Sequence, residues 1–222
     1  MSFFWLAVLV EGGLAVIAIL ADVLWLGLNF WQYVRCDGET LWQITWGLLP
    51  LIAGYFILQA LPFKALQRID RFVRELFQQH MSHLPIWQLA VIAALAGIGE
   101  ELFFRGLIQL GLAEGLGINV WIAILIASLI FGLAHAVTLT YFLLAFLVSV
   151  YLGFIFDFTG NLFVPIAIHA LYDFFVFLYI RFTPHKQPEN FLKNDSNLSQ
   201  NLPDVVESGR EQSILDSEEH VP

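Results

Sequence analysis

Three short patterns in this chain combine residue types that could do acid–base chemistry. In Glu100-Glu101-Leu102-Phe103-Phe104-Arg105, a carboxylate stands four residues before a guanidinium, so Glu101 and Arg105 share a helix face and can neutralise each other. Glu100 is turned about 100° from Glu101 and has no partner in its own helix, so another segment must manage its proton. Phe131-Gly132-Leu133-Ala134-His135 puts an aromatic ring and an imidazole on one face; alone, such a histidine reads as a hydrogen-bonded core residue. His169-Ala170-Leu171-Tyr172-Asp173 repeats the spacing with an imidazole and a carboxylate. That pair can orient the ring, bind a metal or stitch two helices together.

The three patterns carry more meaning together than apart. They supply a general base, a proton shuttle and a polar anchor on separate apolar segments, where an ionisable group is costly unless it is paired or part of a site. Activated-water hydrolysis uses that combination.

The segments that must position these groups are membrane-like. Of 222 residues, 59% are hydrophobic and 13% charged, with a mean hydropathy of +0.74, which excludes an ordinary soluble domain. The net charge of −9 divides unevenly: residues 183–222 hold 8 acidic and 3 basic residues, and residues 1–182 hold 11 and 7. No basic surface suits nucleic acid, so no nucleic-acid partner is expected. A single cysteine, Cys36, makes neither an internal disulfide nor a Cys-based zinc site.

The fold class expected is all-α, a polytopic membrane helix bundle of about six transmembrane helices plus an interfacial amphipathic helix. Residues 1–85 would hold two spans, about Phe3–Val34 and Leu41–Pro62, followed by a basic interfacial helix over Phe63–His83. The first apolar stretch is too long for one simple span and is read as one tilted or extended helix. It is not a cleavable signal peptide, because no basic region precedes it. Its Glu11 and Asp22 return to nearly the same face, which should look toward other helices or a wet cavity. In the interfacial helix, Phe63, Leu66, Ile69, Phe72, Leu76 and Phe77 form an apolar stripe beside Lys64, Arg68, Arg71 and Arg74. These positive charges predict a cytoplasmic face, with both termini in the cytoplasm and the chain in the cell membrane.

Residues 86–182 would form a core of four spans, about Ile86–Ala113, Ile118–Ala136, Thr138–Phe156 and Leu162–Phe182. Residues 183–222 read as an acidic, disordered tail. Counting depth along upright helices sets Glu100 roughly 21 Å from Ile86 but His135 near the end of its own helix, a mismatch that needs a tilt, a re-entrant start or shifted boundaries.

The ordered set of patterns resembles the CPBP family of intramembrane proteases. That family includes type II CAAX prenyl endopeptidases, lysostaphin-resistance-protein-A-like proteins and bacteriocin-processing or immunity proteins. Its pattern is Glu-Glu-x-x-x-Arg, then Phe-x-x-x-His, then His-x-x-x-Asn/Asp, and residues 100–105, 131–135 and 169–173 match it in order and spacing. The resemblance covers about residues 86–182.

It implies a peptide hydrolase acting on a membrane-associated peptide or protein, prenylated or leader-bearing, in contact with membrane lipid. The catalytic residues it implies are Glu100, Glu101, Arg105, His135, His169 and Asp173. Glu100 and His135 would activate water, His169 and Asp173 would hold the carbonyl oxygen or the water, and Glu101 with Arg105 would hold the geometry. Asp173 stands where an asparagine also occurs, and an ionised aspartate only accepts hydrogen bonds, so the oxyanion role passes to His169.

A divalent metal, zinc by its ligand types, could be held by Glu100, His135, His169 and Asp173, and a metal-free mechanism is equally compatible. The alternatives are a catalytically silent membrane binding, immunity or scaffold protein using the same cavity, and a proton-coupled transporter or channel, against which the lack of an internal repeat speaks. The oligomeric state is open.

Overall fold

Seven helices in the order of the chain, with no strand among the described residues, build the protein in a computed structural model that describes residues 2–183. The tail expected from residue 183 lies, beyond Thr183, outside the described residues. The helices are α1 (Phe3–Ala21), α2 (Gly38–Ala60), α3 (Lys64–His80), α4 (Ile86–Glu101), α5 (Val120–Ala134), α6 (Leu139–Thr159) and α7 (Phe163–Phe182). Two of them continue without a break into π geometry, α1 through Asp22–Leu26 and α4 through Leu102–Gly115. Four are long and apolar enough to cross a membrane: Phe3–Leu26, Gly38–Ala60, Leu139–Thr159 and Phe163–Phe182. The shorter α5 is apolar along its length.

The bundle turns its largest apolar side chains outward. Trp5 and Trp87 are exposed near one end, and Trp25, Trp31 and Trp42 near the other, the distribution that lipid-facing helices with interfacial tryptophans show. Burial is confined to seams between helices, where small residues bring backbones close. Gly97 on α4 is the clearest case: a Cβ there would stand 2.6 Å from the Ile166 carbonyl oxygen and 2.9 Å from Ala170 Cβ on α7. Two residues on, a Cβ at Gly99 would strike the backbone of Glu11 on α1. The Gly97-Ile98-Gly99 run therefore admits α7 and α1 to α4 immediately before Glu100 and Glu101.

The first apolar stretch departs from the single extended helix expected of it. The helix ends at Leu26, Gly27 takes a left-handed conformation with φ of 63°, and the chain doubles back through a 3-10 turn, Phe30–Tyr33. Asp22 explains the reversal. Its carboxylate accepts the backbone N–H groups of Leu28, Asn29 and Phe30 at 2.8, 3.0 and 2.9 Å, satisfying donors that the broken helix leaves free. Asp22 is thus a structural anchor for the loop, buried within the protein on the inward-looking face expected of it.

The loop ends in a polar knot around fully buried Asn161, in the turn between α6 and α7. Its side-chain oxygen accepts from Arg35 N at 3.1 Å, and its amide donates to Arg35 O and to Thr40 Oγ1, each at 3.1 Å. Arg35 also donates from Nη2 to Thr159 O at 2.8 Å. Asp37 caps α2 by accepting from Thr40 N and Oγ1, both at 2.8 Å, and these bonds hold its carboxyl below the ordinary aspartate range. The knot pins the start of α7, the helix that carries His169.

At the opposite end, α3 is the basic amphipathic helix expected, with one difference. Lys64, Arg68 and Arg71 are exposed, whereas Arg74 is buried against its own neighbours. Arg74 Nε reaches both oxygens of Asp70 at 3.1 and 2.9 Å, Nη1 donates to Thr183 O at 2.8 Å, and the guanidinium lies 5.8 Å from the Tyr179 ring. It ties α3 to the end of α7.

Candidate active site

All six ionisable residues singled out in the sequence are brought together where α4, α5 and α7 meet. Because α4 and α7 run antiparallel, Glu100 and His169 reach the same level: fourteen residues from Ile86 and thirteen from Phe182, both roughly 20 Å along their helices. His135 comes to that level by another route. It is the residue that closes α5, and its ring lies beside Glu100, so the α5–α6 turn reaches to within two side-chain lengths of the middle of the continuous Ile86–Gly115 helix. That inset turn resolves the depth mismatch of upright helices.

The innermost layer is the Glu101–Arg105 pair, both side chains fully buried, with Arg105 Nε 2.9 Å from Glu101 Oε2. The approach is close enough for strong Coulombic attraction but is not aligned as a hydrogen bond, and no nitrogen of Arg105 has an aligned acceptor from the protein. Glu101 Oε1 accepts from His169 Nδ1 at 2.8 Å. One glutamate therefore links the cation on its own helix to an imidazole on α7.

The next layer surrounds Glu100. His135 Nδ1 lies 2.8 Å from the Phe131 carbonyl oxygen, which can only accept, so Nδ1 carries the proton. With Nδ1 committed in both histidines, each presents Nε2 to Glu100: His135 Nε2 is 3.8 Å from Oε1, and His169 Nε2 is 3.8 Å from Oε2. Asp173 Oδ2 lies 3.6 Å from the same His169 nitrogen. These separations exceed direct hydrogen bonds and leave the facing atoms free to engage a small molecule between them.

Exposure grades outward: zero at Glu101 and Arg105, 10% at His169, 12% at Glu100, and 28% at both His135 and Asp173. The centre thus opens to the protein surface on the His135 and Asp173 side. Among the described residues, no group of three or more His, Cys, Asp or Glu side chains is arranged to hold a metal ion.

Sequence reasoning overlooked Phe131 as more than a spacer. Its ring stacks on His135 with centroids 4.4 Å apart and planes at 19°, lies 5.8 Å from the Arg105 guanidinium carbon and meets Phe104 edge-on at 4.9 Å. It is the wall that couples the buried cation to the exposed imidazole. The Phe-x-x-x-His spacing was the available signal. Glu11, expected to look toward other helices or a wet cavity, belongs to this neighbourhood too: its backbone packs on Gly99, next to Glu100.

Seven helices, four of them long and apolar enough to cross a membrane, thus surround a buried carboxylate–imidazole centre. Residues 82–175 match the family model described as Type II CAAX prenyl endopeptidase Rce1-like, so the resemblance drawn from the three motifs holds over the segment that carries all of them. The chain is 36% identical over 104 residues to the uncharacterized protein YpbD of Bacillus subtilis (strain 168), covering 46% of this chain. It spans half the length of that relative. No solved structure matches.

Proposed function

We propose that the protein is an intramembrane endopeptidase that hydrolyses a peptide bond of a membrane-associated protein by water activated at Glu100. One observation carries the reading: the two oxygens of a single carboxylate each face the Nε2 of a histidine from a different helix.

Glu100 takes a proton from water held between its carboxylate and His135, and the resulting hydroxide adds to the scissile carbonyl carbon. His169, fixed at Nδ1 by Glu101 and flanked at Nε2 by Asp173, is the donor to the carbonyl oxygen as negative charge develops there. The tetrahedral intermediate collapses, the C–N bond breaks, and Glu100 returns its proton to the leaving amine. Arg105 neutralises Glu101, and Phe131 holds His135 by stacking.

The basic face of α3 and Arg181 on α7 support a cytoplasmic placement for this end of the bundle, in a cell membrane, with the peptide entering from the His135 and Asp173 side. Four membrane-length helices, the apolar α5 and the continuous Ile86–Gly115 helix support six crossings.

The test compares membranes from cells expressing the wild-type chain or Glu100→Gln, with new peptide termini read by mass spectrometry. Polypeptides that stay uncut only with Glu100→Gln, and are cut by purified wild-type protein in vesicles, are the expected result. Equal processing with both chains refutes the mechanism. An unchanged biological effect without any cleavage favours a silent binding or immunity protein. Metal content of the purified protein, with activity measured before and after chelation, decides whether zinc takes part.

A further inference from the structure

Behind the reaction centre, on the side away from solvent, polar side chains continue into the bundle. Glu101, Arg105 and Gln109 follow one another at four-residue intervals, all at 2% exposure or less. The π stretch that holds Arg105 and Gln109 packs against α5 and α6, which present two fully buried serines, Ser128 and Ser149. The register of α5 and α6 sets these serines opposite each other. Ile124 meets Gly153, Gly132 meets Phe142 and Phe146, and the antiparallel position halfway between pairs Ser128 with Ser149.

Gln109 joins the same group. Its Nε2 donates to Gly153 O at 3.1 Å, one turn from Ser149, which fixes the amide, and its buried Oε1 lies against Gly153.

The hydrogen-bond accounting of this column does not close within the protein. Gln109 Oε1, Ser128 Oγ, Ser149 Oγ and all three guanidinium nitrogens of Arg105 are buried without an aligned partner. Native interiors rarely leave such groups unmet, and the usual remedy is water with two to four polar neighbours. The complement is balanced for water: Arg105 only donates, the Gln109 oxygen only accepts, and the hydroxyls do both. Gly153 packs against Ile124 and Gln109, and Gly132 against Phe142 and Phe146, so the seam is closed on either side of the serine pair.

We propose that Gln109, Ser128 and Ser149 form, with the Arg105 guanidinium, a binding site for buried water behind the reaction centre, and that this water positions Glu101 through Arg105. The water site stands on the burial and hydrogen bonding alone. The positioning role rests on the hydrolytic reading above: water fixes the guanidinium, the guanidinium fixes Glu101, and Glu101 holds His169 Nδ1. Gln109, Ser128 and Ser149 are positioning residues, since none touches the reacting atoms.

The full-length protein in lipid nanodiscs is exposed to hydroxyl radicals generated by an X-ray pulse, which arise from bound water and oxidise the side chains beside it. Ile124, 1% exposed and next to Gln109 and Gly153, is expected to be oxidised several-fold faster than Leu89 and Ile168, which are equally buried in apolar clusters. Oxidation of Ile124 no faster than those two overturns the water site, and this arm needs no variant.

In Ser128→Ala/Ser149→Ala, oxidation of Ile124 falls to the control rate. For the substrate that accumulates with Glu100→Gln, kcat falls about tenfold, the scale of one hydrogen bond to a charged group, while KM stays within about twofold. Lost oxidation with unchanged kcat overturns the positioning role. Absence of cleavage by the wild-type protein would count against the endopeptidase and leave the oxidation result standing.

Discussion

Replacing Gly97 by alanine tests whether close helix approach is what assembles the site. The added Cβ would lie 2.6 Å from the Ile166 carbonyl oxygen and 2.9 Å from both Ala170 Cβ and Ala170 N, against about 3.4 Å for an ordinary contact. Backbone cannot rotate away as a flexible side chain can, so α7 must retreat by about 0.8 Å. The His169–Glu101 bond, now 2.8 Å, would open to about 3.6 Å, beyond the range of a hydrogen bond. Overpacking costs about 1–3 kcal/mol, offset by the roughly 1 kcal/mol that alanine gains over glycine within a helix. The net change in stability is therefore small, about 0–2 kcal/mol, while a misplacement of this size costs on the order of 100-fold in turnover. The assay pairs cleavage in vesicles with thermal unfolding in detergent, and uses Gly54→Ala as control because nothing lies within 4 Å of a Cβ there. Turnover within about threefold of wild type in Gly97→Ala, or an equal loss in Gly54→Ala, would refute the reasoning.

Further outcomes follow from single contacts. Phe131→Leu removes the ring stacked on His135 and beside Arg105, so kcat should fall about tenfold, with Phe131→Trp restoring most of it in the same assay. Asp22→Ala strands three backbone N–H donors and should destabilise the protein by about 3 kcal/mol, read as a lowered unfolding midpoint with cleavage retained at low temperature. Asp37 has a depressed folded-state value, so its capping of α2 is fully present above the ordinary aspartate range and is lost as pH falls through that depressed value. Protection of the Thr40 amide, corrected for intrinsic exchange, should therefore drop on acidification, and Asp37→Ala should abolish the dependence; a pH-independent protection in the wild type would contradict it.

The helical architecture was legible because hydrocarbon demands long apolar segments with internally satisfied backbones, and the span boundaries read from hydropathy fall within a few residues of α2, α5, α6 and α7. The first stretch was misjudged because hydropathy does not sense backbone reversal. Residues 27–34 carry no charge to end an apolar stretch, and the reversal rests on the left-handed Gly27 and on the three N–H groups that the Asp22 carboxylate collects. Arg74 looked like its exposed neighbours for a similar reason, since the Tyr179 ring and the Thr183 carbonyl that bury it come from the far end of the chain.

Composition and spacing determined that this chain is a bundle of apolar helices, and that Glu101 with Arg105, Phe131 with His135, and His169 with Asp173 each share a helix face, because 3.6 residues per turn is a local rule. Only the packing of one helix on another decided that Glu100 stands between two imidazoles, that Glu101 serves His169 as well as Arg105, and that the α5–α6 turn meets the middle of the continuous Ile86–Gly115 helix. Those relations depend on how closely Gly97 and Gly99 let α7 and α1 approach, and helix periodicity holds no information about the distance between helices.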